Sequence, residues 1–247
     1  MPISAAFLGS GKEVRGKEAN PFQWRHFAPD IILLCVRWYL KYQISLRDVE
    51  EMLSERGLVI DHTTIHRWVI RYSPEIAKRV RTRLKPTNDS WRFDETYLKV
   101  NGEQVYLYRI VDSEGETVEF LLSRTRDKRA AKRLMRKALA SRHNQMPRVI
   151  TTDKYPATEV AIQEELYAGA LGASVEHRMC KYLNNTIEQD HRFIKRRTRP
   201  MLGFKKFRAA YSTLIGIETM HMLRKRQAGP MTPRQEAEFI RRIMVDA

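Results

Sequence analysis

Apolar residues from 29 to 41 recur at helical spacing, placing Ile32, Cys35, Val36 and Tyr39 on one face. Ser45 is suited to cap a second helix through Glu55 that repeats Leu46, Val49 and Leu53. Gly57 then punctuates the chain, and Asp61 can cap a third helix carrying Ile65, Trp68 and Val69. A stretch rich in Arg and Lys, 77–85, leads into Pro86-Thr-Asn-Asp-Ser90, which reads as a linker. From Trp91 the period changes to two. Residues 91–100, 103–111 and 117–123 predict strands, and the turn signals Asn101-Gly102 and Ser113-Glu-Gly115 predict two consecutive hairpins. A helix over 128–141, a short buried strand over 148–152 and a helix over 158–166 follow. A weak strand at 174–177 precedes a long helix over 184–198, then helices at 205–226 and 233–245. A meander followed by alternating helix and strand predicts an α/β domain, a mixed sheet flanked by helices, behind an all-α segment. The expected organisation is a flexible arm at 1–22, a helical domain at 23–85, the α/β domain at 86–228 and a C-terminal helical tail at 229–247.

Charge narrows the possible partners. Against 29 Asp and Glu stand 45 Lys and Arg, a formal net charge of +16, and a chain this basic suits a polyanion whose counterions it releases. An anionic membrane is the rival. The densest apolar run, 31–40, is broken by Arg37 and ends at Lys41, far short of the roughly 20 residues that span a bilayer. The N-terminus lacks the pattern of a signal peptide. Two cysteines, Cys35 and Cys180, without a CxxC, disfavour disulfides and a zinc ribbon, and the expected compartment is the cytoplasm.

Three carboxylates stand out by position. Asp94 lies in the first strand of the α/β segment among Trp91, Phe93 and Tyr97, where burying a charge is costly without a partner. Asp153 follows the apolar strand RVITTD, and Glu188 lies on the helix in YLNNTIEQDHRFIKRR. Hard oxygen ligands of this kind suit magnesium or manganese, and a pair of such ions can drive in-line displacement at phosphorus. Lys195, two helical turns after Glu188, projects from the same face and can touch a DNA phosphate, while Ile187 and Ile194 share a stripe that packs the helix on the sheet. The ordinary alternatives are an Asp94–Arg pair, Asp153 as a helix cap and Glu188 as a surface acid. Glu95 and Asp190 compete for the same roles.

The second and third helices have the length and central glycine of a helix-turn-helix. On the third, His62, Thr63, His66, Arg67 and Arg71 avoid the apolar stripe and can reach phosphates or base edges; a plain three-helix bundle with a polar face is the alternative. Lys128, Lys132 and Arg136 form part of a basic stripe at helical spacing, and Arg192 and Arg196 begin a second cluster beyond Glu188. Such runs are often solvated faces, but their place beside the carboxylates suits tracking of phosphates. His177, His191 and His221 lack metal-ligand spacing. The apolar pattern from Phe204 to Leu223 suits core packing or a dimer face.

The blocks WRFDETYLKVNGEQVYLYRIVDSEG, RVITTDKYPA and YLNNTIEQDHRFIKRRTRPMLGFKKFRAAYSTLIGIETMHMLRKRQ resemble the motif blocks of the DDE transposases of the insertion-sequence six family. The preceding HFAPDIILLCVRWYLKYQISLRDVEEMLSERGLVIDHTTIHRWVIRY resembles that family's helix-turn-helix segment. The likeness runs from about Phe27 to Gln227. It implies an RNase H-like, retroviral integrase-like catalytic domain, with the family's Asp, Asp and Glu on Asp94, Asp153 and Glu188 and its cation on Lys195. It also implies two Mg2+ ions (Mn2+ substituting), cleavage at terminal inverted repeats to free 3′ hydroxyls, their transfer to target DNA and a cointegrate product. Joining two ends further implies a homodimer or larger homo-oligomer, working on the nucleoid of a bacterium. A regulator that keeps the fold without the catalysis, and a structure-selective nuclease on the same fold, are the competing functions.

Overall fold

The computed structural model describes residues 21–22, 26–153, 155–172, 174–180 and 185–245; the expected arm up to residue 20, and Asn184, lie outside them. Helices α1 (Pro29–Lys41), α2 (Leu46–Ser54) and α3 (His62–Arg81) come first. Pro29 sits in the first turn of α1, where a missing N–H is least costly. Ser45 and Asp48 form a reciprocal capping box on α2. Gly57, at φ 73, lets the Leu58 N–H return to the Leu53 carbonyl at 3.0 Å and so closes that helix. Asp61 caps α3 by accepting the Thr63 N–H at 2.8 Å. Helix α3 takes in residues 77–81, which composition alone assigned to the approach to the linker. Ile76, Ala77 and Val80 are buried there, and this packing outweighs the hydrogen bond lost at Pro74.

Strands β1 (Ser90–Val100), β2 (Glu103–Asp112) and β3 (Thr117–Ser123) form the expected meander. Asn101 and Gly102 both have positive φ, 54 and 79, as a tight hairpin turn of this type requires. Then follow α4 (Lys128–Leu139), β4 (Val149–Thr152), α5 (Pro156–Tyr167), β5 (Glu176–Met179), α6 (Asn185–Thr198), α7 (Phe207–Arg224) and α8 (Pro233–Val245). The sheet order is β3-β2-β1-β4-β5, with the β1–β4 and β4–β5 pairings parallel and the β1–β2 and β2–β3 pairings antiparallel. This mixed sheet with helices on both faces is the RNase H-like arrangement. Strand β5 begins at Glu176, later than the pattern suggested, because none of its side chains is buried; pairing with β4 defines it.

Two apolar layers flank the sheet. On one face Trp91, Phe93, Tyr108, Ile110 and Ile150 pack against α4 and α5. On the other, Leu98, Leu107, Phe120 and Leu122 join Ile194, Leu214 and Ile217 in a cluster that continues into α1–α3 and α8. The core therefore crosses both expected boundaries, at 85 and at 228. Helix α7 is the bridge: a Cβ at Gly216 would lie 2.5 Å from Leu40 Cδ1 and 2.7 Å from Ser73 Oγ, so any larger residue there would force the buried Leu40 and Ser73 side chains of α1 and α3 to shift. Helix α8 is tied to α1 by Glu236, which accepts from Arg37 at 3.0 Å and Lys41 at 2.6 Å. Phe22, the last residue of the expected arm, is buried and stacks on Tyr72 with ring centroids 4.7 Å apart. No described helix is long and apolar enough to cross a membrane.

Candidate active site

The parallel register of β1 and β4 ends with Phe93 opposite Thr152. The next residues along the two strands are Asp94 and Asp153, so strand pairing alone sets these carboxylates side by side at the carboxyl end of β4. One oxygen each from Asp94, Glu95 and Asp153 lie within 4.8 Å of one another. The Tyr155 N–H donates to Asp153 Oδ1 at 3.0 Å and fixes its orientation. Glu188 occupies the first turn of α6, a helix held down by fully buried Ile187 and Ile194 and by Arg92 Nη1 donating to Thr186 Oγ1 at 3.0 Å. Glu188 is more exposed, 3.7 Å from Arg192, and stands outside the tight group, though its charge reaches Asp94.

This crowding has an electrostatic consequence. Burial, then the charges of Glu95, Asp153 and Glu188, push the Asp94 carboxyl up to about 7. His191 Nδ1 lies 3.7 Å from Asp94 Oδ2. Burial, reinforced by Arg109, lowers this imidazole to about 3, so it is neutral and does not offset the carboxylates. A cluster of acidic oxygens that resists full ionisation alone is chemically suited to a hard divalent cation.

Of the two expected competitors, Glu95 joins the cluster. Its Oε1 accepts from Arg126 Nε at 2.6 Å, while Oε2 is buried with no protein partner. The Arg126 guanidinium lies 3.7 Å from the Tyr155 ring centroid, and the Tyr155 hydroxyl donates to the Arg126 carbonyl at 3.1 Å. Glu95, Arg126 and Tyr155 are thus linked in series, and the Tyr155 N–H carries the link to Asp153. Nothing in the sequence distinguished Arg126 except its place before Asp127, which caps α4. Arg126→Ala is expected to slow metal-dependent DNA nicking about 10- to 100-fold, as loss of outer contacts at a metal site does. The melting temperature should fall as well, because Glu95 is left buried without its ion-pair partner, and an unchanged nicking rate would show that Arg126 does not position the carboxylates.

Asp190, the other expected competitor, is engaged by cations away from that cluster. It accepts from Arg109 at 2.8 Å, His221 at 3.0 Å and Lys225 at 2.5 Å. Burial opposes its ionisation, but Arg109, His221 and Lys225 hold its carboxyl well below the usual range. Arg109 faces Asp94 across the β1–β2 register, yet its guanidinium bridges Asp190 and, at 2.9 Å, Glu218.

The expected DNA-facing residues divide. Thr63, Arg67 and Arg71 are exposed along α3, whereas His62 and His66 are half-buried, and His62 Nδ1 is 2.9 Å from Glu50 Oε2. Lys195 is exposed, its Nζ 4.6 Å from the Tyr97 ring centroid. Arg192 and Arg196 are exposed too. Lys128 and Lys132 bind Glu164 at 2.6 and 2.9 Å, and Arg136 binds Glu165 at 3.0 Å. That stripe is therefore paired with acids of α5, a contact no local pattern reveals.

A family model described as a DDE domain matches residues 88–227. The transposase for insertion sequence-like element IS431mec of Staphylococcus aureus is 38% identical over 208 residues, covering 84% of this chain and 90% of that protein. The transposase for insertion sequence element IS257 in transposon Tn4003, also of Staphylococcus aureus, is 38% identical over the same shares. Among solved structures, the HTLV-2 integrase catalytic core domain in its trimeric form aligns with TM-score 0.43 and 17% identity, over 61% of this chain and 93% of that one. A chain of the simian T-cell lymphotropic virus intasome aligns with TM-score 0.44 and 19% identity, over 62% and 52%. The family match over the sheet and α4–α7, with the near full-length relatives, places the chain among the DDE transposases of the insertion-sequence six family, enzymes of metal-dependent DNA cleavage and strand transfer.

Proposed function

We propose that this transposase binds the terminal inverted repeats of its insertion sequence, cleaves to free 3′ hydroxyls and transfers them to target DNA, giving cointegrates. The observation that carries the reading is the register placing Asp94 beside Asp153, with Glu188 on the helix packed over β1. Asp94, Asp153 and Glu188 are assigned as the residues that would hold two Mg2+ ions, for which Mn2+ would substitute. Such ions supply activation of the attacking oxygen and stabilisation of the leaving one. The remaining tasks fall to the chain. Tyr155 and Arg126 orient the carboxylates, neutral His191 fills the space behind Asp94, and Lys195 holds a phosphate of the processed end.

Residues 23–85 supply end recognition, with Thr63, Arg67 and Arg71 of α3 in the major groove and His62 and His66 at its edge. Arg192 and Arg196 extend the phosphate-binding surface from α6. Lys128, Lys132 and Arg136 contribute through the donor capacity their α5 partners leave free. Because two ends must be joined in one event, the working form is a homodimer or larger assembly of this chain, acting on the bacterial nucleoid in the cytoplasm.

The test is incubation of the protein with Mg2+ and a duplex carrying the element's own ends, beside a duplex with the ends scrambled. Nicking and joining confined to the true ends support the transposase. Cleavage of branched or mismatched duplexes without any need for ends would favour a nuclease. Binding of the ends without chemistry would favour a regulator.

A further inference from the structure

Between α6 and α7 the chain turns through a single 3-10 turn, Arg199–Met201, into Leu202 and Gly203. Leu202 is 93% exposed and sits at φ 55, ψ 27, a left-handed conformation that leucine seldom adopts. Folding ordinarily avoids both features, burying leucine and giving left-handed positions to glycine. The turn is nevertheless firmly held. The Asn101 N–H donates to the Phe204 carbonyl at 2.6 Å, Phe204 bridges to Val100, and Met201 and Phe204 pack on the core. A bare apolar side chain is thus carried outward on a rigid support.

Its surroundings identify the partner. Arg196, Arg199, Lys205, Lys206 and Arg208 are all exposed, and none of their side chains makes an ion pair or hydrogen bond among the described residues. Five uncompensated cations around the tip repel a second copy of the same face and attract a polyanion. Phosphates alone would need no leucine; an apolar contact flanked by phosphate contacts matches a side chain entering a base step.

We infer that Leu202 is a wedge that partly unstacks one base step of bound duplex DNA while the cations around it hold the flanking phosphates. The inference rests on the DNA-joining reading above and adds a site to it. Followed along α6 and the 3-10 turn, the Leu202 backbone lies about 23 Å from that of Glu188, a reach of about seven base-pair steps. The distortion therefore falls on the same duplex segment as the reacting phosphate.

The test uses the full chain with duplexes carrying the element's ends and a single 2-aminopurine moved step by step along the strand. Wild-type protein is expected to raise the fluorescence at one position within about seven steps of the cleaved phosphate. Leu202→Ala should abolish that rise and weaken binding about tenfold, without lowering the melting temperature, since the side chain buries little in the protein. Leu202→Phe should retain the rise. Wild-type protein that binds and joins ends with a flat fluorescence profile would overturn the wedge alone. Failure to bind the duplex at all would overturn the DNA-joining reading with it. Loss of self-association in Leu202→Ala, with the fluorescence profile unchanged, would make the tip a contact between copies instead.

Discussion

Asp153→Asn abolishes end nicking and joining, by about a thousandfold or more, if the carboxylates brought together by the β1–β4 register are the reacting centre. The substitution removes one charge and little else. An asparagine oxygen can still accept the Tyr155 N–H that now meets Asp153 Oδ1 at 3.0 Å, so the turn after β4 is kept and end binding in a gel shift should be unchanged. Equal nicking by wild type and variant would sink the assignment. Asp94→Asn should be as inactive and has a second signature in metal-free buffer. The folded carboxyl lies at about 7, above the ordinary 3.8. Ionising it therefore destabilises the fold, progressively from about pH 4 to pH 7 and fully above that, on the order of a few kcal/mol. The metal-free variant should accordingly melt higher than wild type by a margin that grows through that window and then levels. Added Mg2+ should raise the wild-type melting temperature at pH 8 and raise that of the variant far less. A margin independent of pH would mean that the like-charge cluster is relieved in some other way.

Arg109→Ala is expected to be the most damaging single change to stability, costing about 3–5 kcal/mol, or a fall of about 10 °C in melting temperature. The guanidinium is fully buried and bridges Asp190 at 2.8 Å and Glu218 at 2.9 Å. Lys225 and His221 remain for Asp190, but Glu218 would be left buried without its ion-pair partner, and burial already pushes its carboxyl up. Adding Glu218→Gln to Arg109→Ala should restore part of the loss, because the stranded charge is then gone. A fall of less than about 2 °C for the single variant, by thermal or urea unfolding, would contradict this account. The network matters beyond stability because Arg109 is the cross-strand neighbour of Asp94 and Asp190 lies on α6 with Glu188. Its loss should loosen the helix that carries the third carboxylate.

Much of this was legible along the chain. The bounds of α1 and α8 follow from apolar spacing and a proline at each start, and the first hairpin follows from Asn101-Gly102. These features are local: a turn or a helix stripe is specified by residues a few positions apart. Asp94, Asp153 and Glu188 were legible for another reason, that each stands in a motif block of a known family. The second acidic role of Asp190 was not separable from theirs, since an acid on α6 reads the same whether it faces solvent or Arg109. Likewise the basic stripe of α4 is an unpaired cationic face until α5 is laid beside it and Glu164 and Glu165 meet its charges.

The sequence by itself determined the elements, the order that makes the sheet mixed, the basic character that selects nucleic acid and the residue types able to hold a divalent ion. Only the tertiary structure decided which acids lie together. It set Asp94 beside Asp153 through the last registered pair, Phe93 with Thr152. It enlisted Glu95 through Arg126, withdrew Asp190 into an ion-paired core, and joined the N-terminal helices to the sheet through the close approach at Gly216. Local periodicity records whether a position is buried, but not what it is buried against. The energy of a charged group depends on that partner, and the partner is supplied by chain segments far away in sequence.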